Sequence, residues 1–330
     1  MPAEQTEPHS PRRGRAGLIS IGLGVLVLLA WLAGPGGQAW LWPLTPFANV
    51  LHVLTAAALV LGVAAVFEGR RVLATALVLP TLVLVGWSAP RLGSEGEAAR
   101  PEADLTVVSW NLGASVASPD EAAAWIAASD ADVIALCELN PEVADRLTGD
   151  FAGRFPHRIL HPLGVNGRGV LSRFPIVDDE FLKLEGTRKH LRVTLDVEGR
   201  QLRLVVVHLA LEAALLGRAE GSVRDVDRLV DDLLEGPPGL LVGDFNSSET
   251  SPLYNALSGR LTDTFRESGA GLGFSFPLPF RYWGVPLVPF VRIDHVWRTQ
   301  GLESVRTWIG DDGGSDHLPV TTRIRFTRSS

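Results

Sequence analysis

The feature that most limits how this chain folds is an abrupt change of character near residue 100. From Gly17 to Trp87 the sequence is almost wholly apolar, whereas from Arg100 onward charged residues recur every few positions. A long uncharged stretch needs an apolar surrounding and the remainder needs water, so one packed unit does not suit both. With 330 residues there is room for a membrane segment and one large globular unit. The composition divides the chain into a cytoplasmic tail at 1–16, three transmembrane helices within 17–88, a linker at 89–103 and a globular domain at 104–330.

Three apolar runs carry the membrane expectation: Gly17 to Gly34, Val50 to Phe67, and Val72 to Trp87, the last interrupted by Pro80. Each approaches the ~20 residues that a helix needs to cross a hydrocarbon core. Arg12, Arg13 and Arg15 precede the first run, Arg70 and Arg71 separate the second from the third, and Pro35 to Asn49 has no charge. Positive residues stay in the cytoplasm, so the third run would deliver the domain to the extracytoplasmic side of the cell membrane. The first run also reads as a signal peptide with small residues at Gly36 to Ala39, which leads to the same topology.

Charge and cysteine content narrow the function. Residues 101–330 hold 23 Lys+Arg against 32 Asp+Glu, a formal charge of −9. Non-specific duplex binding draws most of its affinity from Lys and Arg neutralising phosphates, so this balance argues against a protein that coats DNA. Cys137 is the only cysteine, which excludes an intrachain disulfide and a thiolate zinc cluster.

Within the domain, short β-rich runs alternate with amphipathic segments. The pattern predicts strands at Leu105–Trp110, Asp132–Cys137, Gly169–Ser172, Leu191–Val197, Leu202–His208, Leu240–Val242, Arg292–Trp297 and Leu318–Phe326. It predicts helices at Pro119–Ala128, Pro141–Leu147, Gly221–Leu234 and Ser251–Leu257. Two mixed β-sheets packed face to face, with helices outside, would bury all of these strands.

Polar residues that are costly to bury sit at the ends of the predicted strands. Asn111 follows VVSW, Glu138 follows VIALC, His208 ends LRLVVV, and Asp244 and Asn246 follow LLVG. Asp294 and His295 interrupt VRIDHVW, and Asp316 and His317 precede LPVTTRIRF. A carboxylate or imidazole beside a buried strand needs a partner, a metal or a chemical task.

Taken in order, these strings resemble the endonuclease/exonuclease/phosphatase (DNase I-like) superfamily. The resemblance is carried by SWNLG at 109–113, CELNPE at 137–142, GRGVLSRFPI at 167–176, VVVHL at 205–209, VGDFNSS at 242–248, RIDHVW at 292–297 and GSDHLPV at 314–320. It implies an α/β fold, a four-layer sandwich with the site at one rim, that cleaves P–O bonds with Mg²⁺ or Mn²⁺. The preceding three-helix segment resembles that of the membrane-anchored bacterial members. Some members carry a carboxylate two residues after the first Asn. Here that position is Gly113, which implies a single metal.

The chemistry gives each matched residue a role. A phosphodiester repels hydroxide, so an enzyme neutralises its oxygens and deprotonates a water in line with the leaving group. The resemblance implies Glu138 as the main metal ligand, with Asp316 and Asn111 as direct or water-mediated partners. Asp244 is expected as general base, with Asn246 orienting the water or holding the phosphate. His317, paired with Asp294, would donate to a non-bridging oxygen, and His208 would contact the phosphate from the other side. Asn111, Asn166 and Arg168 are expected at the substrate.

The substrate is expected to be a lipid headgroup or another small phosphoester, with the lipid bilayer and nucleic acid as further partners to test. The segment Gly271 to Val291 is proline-rich and apolar, and its Phe276, Phe280, Tyr282 and Trp283 suit either a lipid interface or packing on the sandwich. Two other readings stay open: an extracytoplasmic nuclease, and an inactive membrane-tethered binding module.

Overall fold

The computed structural model describes residues 11–33, 44–67, 103–182, 188–210, 219–278 and 288–327, together with positions 69, 74, 77, 78, 81, 82 and 184. It separates into two compact units, Met1–Pro90 and Arg91–Ser330.

The first unit contains helices α1 (Pro11–Ala33), α2 (Thr45–Asn49) and α3 (Leu51–Phe67). Val27, Ala30, Leu51, Ala58 and Leu77 form its buried cluster. The three expected transmembrane helices are not found as such: among the described residues no helix is long and apolar enough to cross a membrane. At 17 residues, α3 extends only about 25 Å, short of the ~30 Å hydrocarbon thickness. Helix α1 opens on Pro11, Arg12, Arg13 and Arg15, and its side chains are described only from Ile21. Most of the third run lies outside the described residues.

The second unit is built on two mixed six-stranded sheets. The first contains β1 (Leu105–Asn111), β2 (Val133–Cys137), β3 (His157–His161), β4 (Arg168–Ser172), β11 (Leu302–Ile309) and β12 (Val320–Phe326), in the order β11-β12-β1-β2-β4-β3. The second contains β5 (Ile176–Leu182), β6 (His190–Val197), β7 (Arg200–His208), β8 (Gly239–Asp244), β9 (Thr262–Asp263) and β10 (Asp294–Arg298), in the order β5-β6-β7-β8-β10-β9. β1 runs parallel to β2 and β7 parallel to β8, while their other pairings are antiparallel. The β6–β7 hairpin turns through Glu198 (φ 54°) and Gly199 (φ 85°), the paired positive φ values of a two-residue turn that matches strand twist.

Alternation along the strands explains the layering. In β1, Leu105 and Val107 face inward against the second sheet, whereas Val108 and Trp110 face outward. The inter-sheet core includes Val133, Ala135 and Val170 from the first sheet, with Leu191, Val193, Leu204, Val206 and Val242 from the second. Outside the first sheet lie α4 (Pro119–Ala128) and α5 (Pro141–Asp150), and outside the second lies α6 (Ala219–Glu235), which gives the expected four layers. Ser118 caps α4 by accepting from the Glu121 N–H, and Ser118 Oγ also meets the Glu121 carboxylate, a capping arrangement legible in S-P-D-E. On α6, Val226, Leu229, Val230 and Leu233 form the buried stripe, at i, i+3, i+4 and i+7.

The register brings polar strand ends level. His208 pairs with Asp244, and Asp244 with Asp294, so three chemically active residues share one rung of the second sheet. In the first sheet Asn111 pairs with Cys137 and Cys137 with Arg168, with Glu138 one residue beyond.

Candidate active site at the rim of the two sheets

The two rungs meet at one edge of the sandwich. Asn111 Nδ2, from the first sheet, donates to Asp244 Oδ2 of the second at 3.0 Å and lies 3.4 Å from Glu138 Oε1. His208 Nε2 stands 3.5 Å from Glu138 Oε1 and 3.6 Å from Asp244 Oδ2. His317 Nδ1 meets Asp294 Oδ2 at 2.9 Å, and its Nε2 faces Asp244 Oδ2 at 4.0 Å. Six of the expected residues, spread from position 111 to position 317, thus converge.

Local structure holds them there. Glu138 and Asn246 adopt left-handed backbone conformations, φ 54° and 49°, which non-glycine residues take up at a cost and which gather at functional sites. The Asn246 N–H donates to Asp244 Oδ1 at 2.7 Å, and its side-chain amide donates to the Leu209 carbonyl at 2.8 Å. Gly243 (φ 135°) lets β8 pass the Val207 carbonyl, which a Cβ would approach to 1.9 Å. Cys137 Sγ donates to the same Val207 carbonyl at 3.1 Å, a bond between the two sheets.

Burial and charge set the protonation states. Burial, with Asp294 next in effect, pushes the Asp244 carboxyl up to about 7. Burial also raises Glu138, against hydrogen bonding from Asn111. For His317, burial opposes the charge, but Asp294 overrides it and lifts the imidazole to about 10. Burial, reinforced by Arg168 and Arg188, drops His208 to about 2, so it is a neutral imidazole. Asp244 is therefore a base poised near neutrality beside an imidazolium held by Asp294.

A divalent cation suits this donor set. The ligand atoms of Glu138, His208 and Asp244 lie within 4.8 Å of one another, as do those of Asp244, Asp294 and His317. Glu138 and Asp244 bring two carboxylates, both raised chiefly by burial, to one small space, and carboxylate oxygens are the donors that Mg²⁺ prefers. Asn111 Oδ1 accepts from the Gly113 N–H at 3.0 Å, so the group turned to the carboxylates is its NH₂. As an oxygen ligand Asn111 would have to rotate its amide. Asp316 is buried next to this cluster, with its Oδ1 3.3 Å from Ser315 Oγ, and belongs to neither triad. Gly113 (φ 64°) is explained by the same carboxylate: a Cβ there would stand 2.3 Å from Asp316 Oδ1.

The remaining expectations separate. Arg168 is fully buried and donates to backbone carbonyls, at 2.6 Å to Gly167 and 3.3 Å to Val165, while its Nε has no partner among the described residues. Asn166 is exposed in the turn Gly164–Asn166. Of the apolar segment, Phe276 lies with its ring 4.4 Å from that of His317, whereas Phe280, Tyr282 and Trp283 lie outside the described residues.

Sequence reasoning missed four contributors. Arg188 Nη1 lies against the His208 imidazole, 2.9 Å from Nδ1 and 3.2 Å from Nε2. Ser275 Oγ donates to Asp294 Oδ2 at 2.7 Å, Ser315 Oγ to the Asn111 carbonyl at 2.7 Å, and Trp110 Nε1 to the His317 carbonyl at 3.1 Å. Trp110 and Ser315 sit inside matched motifs and Ser275 inside the apolar segment, whereas the polar surroundings of Arg188 carry no signal.

Two stacked mixed sheets with carboxylates, imidazoles and amides gathered at one rim define a DNase I-like α/β sandwich. The chain belongs to the endonuclease/exonuclease/phosphatase family, whose pattern it matches over residues 108–317, and whose members are hydrolases acting on phosphoesters. Among solved structures, an endonuclease/exonuclease/phosphatase from Beutenbergia cavernae DSM 12333 is 25% identical, with 68% of this chain and 72% of that chain covered and a TM-score of 0.55. TDP2 from D. rerio, complexed with single strand DNA product, is 17% identical over 67% of this chain and 98% of its own, with a TM-score of 0.56. The 3′ phosphatase NExo from Neisseria, bound to product DNA hairpin, is 17% identical over 68% and 100%, with a TM-score of 0.51. The last two share the fold. Among curated proteins none matches the chain.

Proposed function

We propose that this protein is a metal-dependent phosphoester hydrolase, a phosphodiesterase or phosphatase, that uses a water activated by Asp244. The observation that carries the reading is the contact across the two sheets, Asn111 to Asp244 at 3.0 Å, with Glu138, His208, Asp294 and His317 around it. Glu138, with Asp316 beside it, would hold Mg²⁺ or Mn²⁺. When bound, the ion supplies charge neutralisation at the phosphoryl oxygens. Asp244 takes the proton from the attacking water, fixed in direction by the Asn246 N–H at its Oδ1. Asn246 itself would help orient that water. His317, kept charged by Asp294, donates from Nε2 to a non-bridging oxygen as negative charge builds there. His208 and Arg188 would supply donors on the opposite side, and Asn166, exposed in its turn, would meet the departing group, whereas Arg168 is enclosed and spends its donors on backbone carbonyls.

A lipid headgroup or other small phosphoester is the favoured substrate, supported by the acidic balance of the domain and by the apolar segment that brings Phe276 to His317. Membrane tethering, with the domain on the extracytoplasmic side, is a proposal from the arginine distribution of residues 1–88 alone. A nuclease is the second reading, favoured by the two structural neighbours bound to DNA products.

The test is hydrolysis of bis-p-nitrophenyl phosphate by the full chain with and without Mg²⁺, followed by a panel of phospholipids, sphingomyelin, nucleotides and DNA. Metal-dependent turnover is expected, reduced by about 10²- to 10⁴-fold in Asp244→Ala and His317→Ala. Equal rates in those variants would contradict the assignment. Preference for DNA across the panel would replace the lipid reading with the nuclease.

A further inference from the structure

Behind the site lies a group of buried charges that the chemistry above does not use. Arg292 is 2% exposed and grips Asp263 with both ends of its fork, Nη2 to Oδ2 at 2.7 Å and Nη1 to Oδ1 at 3.3 Å. Its Nη2 also reaches Glu249 Oε2 at 3.2 Å, and its Nη1 lies 3.1 Å from His295 Nδ1. A guanidinium only donates, so His295 Nδ1 accepts and the imidazole carries its proton on Nε2. That Nε2–H donates to the Ser247 carbonyl at 2.9 Å.

Ser247 follows Asn246, the left-handed residue whose N–H holds the Asp244 carboxylate. Between Arg292 and Asp294, the Ile293 carbonyl accepts from the Phe245 N–H at 2.9 Å. The segment Arg292–His295 therefore grasps the Asp244–Ser247 turn at two points while presenting Asp294 to His317. Burying several charges costs desolvation that their pairing has to offset, and the same bonds that offset it fix the geometry of the segment.

We propose that Arg292 and His295 are positioning residues: through Ser247, and beside the Ile293 carbonyl that holds Phe245, they keep the Asp244–Asn246 turn in the conformation that aims the Asp244 carboxylate. This deepens the hydrolase reading and rests on it for its kinetic consequence. Arg292 sets the tautomer of His295, and His295 pins the turn. Neither side chain touches substrate.

The experiment compares His295→Phe, His295→Gln and Arg292→Lys in the full chain. The rings of Phe245, Tyr254 and Trp297 surround His295 at 5.5, 5.5 and 6.0 Å, so a phenylalanine fits an aromatic setting, and the glutamine keeps an N–H donor. His295→Phe and Arg292→Lys should lower kcat on bis-p-nitrophenyl phosphate with Mg²⁺ by about 10- to 100-fold, with KM within about threefold of wild type. His295→Gln should recover most of that loss. In an Asp244→Asn background the His295→Phe effect should shrink to under about twofold, because the group being aimed is gone. Amide hydrogen exchange at Phe245 and Asn246 should quicken by about tenfold in His295→Phe, independently of turnover. Unchanged exchange, an unchanged kcat in an active enzyme, or an equal kcat loss in the Asp244→Asn background overturns the proposal. Wild-type protein without metal-dependent turnover would instead sink the hydrolase reading, and the exchange measurement would still decide the positioning.

Discussion

Replacing Asp263 by asparagine tests how the buried charges support the fold. The Asp263 carboxylate accepts four bonds: two from Arg292, one from the Tyr254 hydroxyl at 2.6 Å and one from the Phe265 N–H at 2.9 Å. An amide is nearly the same size but replaces one acceptor oxygen with a donor. Whichever way it sits, two donors then face an NH₂ and the Arg292 charge loses its main counter-ion. Removing one member of a buried pair costs about 3–5 kcal/mol, a large part of the roughly 5–15 kcal/mol available to a domain. At about 2–4 °C per kcal/mol for a unit of this size, the melting temperature should fall by roughly 6–20 °C. Burial works against the Asp263 charge, but Arg292 overrides it and holds the carboxyl at about 2, against 3.8 in an unstructured chain. Because the folded value is depressed, the stabilisation is complete above pH 3.8 and is lost as pH falls toward 2. It amounts to about 2 kcal/mol. Urea denaturation followed by circular dichroism at about pH 7 and at roughly pH 2–3 measures both effects. The gap between wild type and Asp263→Asn should be wide at neutral pH and narrow by about 2 kcal/mol in acid. A gap below about 1 kcal/mol at neutral pH, or one that does not change with pH, would refute the reasoning.

Three further outcomes are expected. Asp294→Asn removes the charge that lifts His317, and kcat on bis-p-nitrophenyl phosphate should fall by about 10²-fold or more while Ser275 still occupies its place; a kcat within about twofold of wild type would contradict the pairing. Arg188→Ala should raise KM by about tenfold and weaken inhibition by inorganic phosphate, with a smaller change in kcat, and an unaltered inhibition constant would remove Arg188 from the substrate side. Gly113→Ala places a methyl group against the Asp316 carboxylate at a left-handed position, and should cost roughly 1–3 kcal/mol in thermal denaturation, so an unchanged melting temperature would show that the contact relaxes freely.

The interior of the fold was legible because its strands are either apolar runs, as in VIALC of β2, or strict alternations, as in HLRVTLDV of β6. β1, β2, β4, β6, β7, β8, β10 and β12 all overlap runs read directly from the sequence, with ends shifted by a few residues. The missed strands are β3, β5, β9 and β11, and these are the four sheet edges. An edge strand has one neighbour and an open side, so IVDDEFL in β5 alternates little and carries three consecutive acids. The short helix Thr264–Ser268 was missed for the same lack of a periodic stripe. At the site, residues inside compact motifs were found, while Arg188 was not, because its place beside His208 comes from tertiary packing rather than spacing. Arg168 was expected at the substrate and is fully buried, since it belongs to a strand whose every residue is enclosed.

Neither sheet owns the reactive cluster: Asn111 and Glu138 ride on one slab, His208, Asp244 and Asp294 on the other, and apolar side chains fill the gap between them. That filling works as a spacer shim. Thinning it by a methyl group far from the rim would tilt one slab against its mate and pull apart groups that must stay within about 3–4 Å. Such a protein can lose its working alignment while it still counts as folded, so its interior valines and leucines answer to chemistry as well as to cohesion.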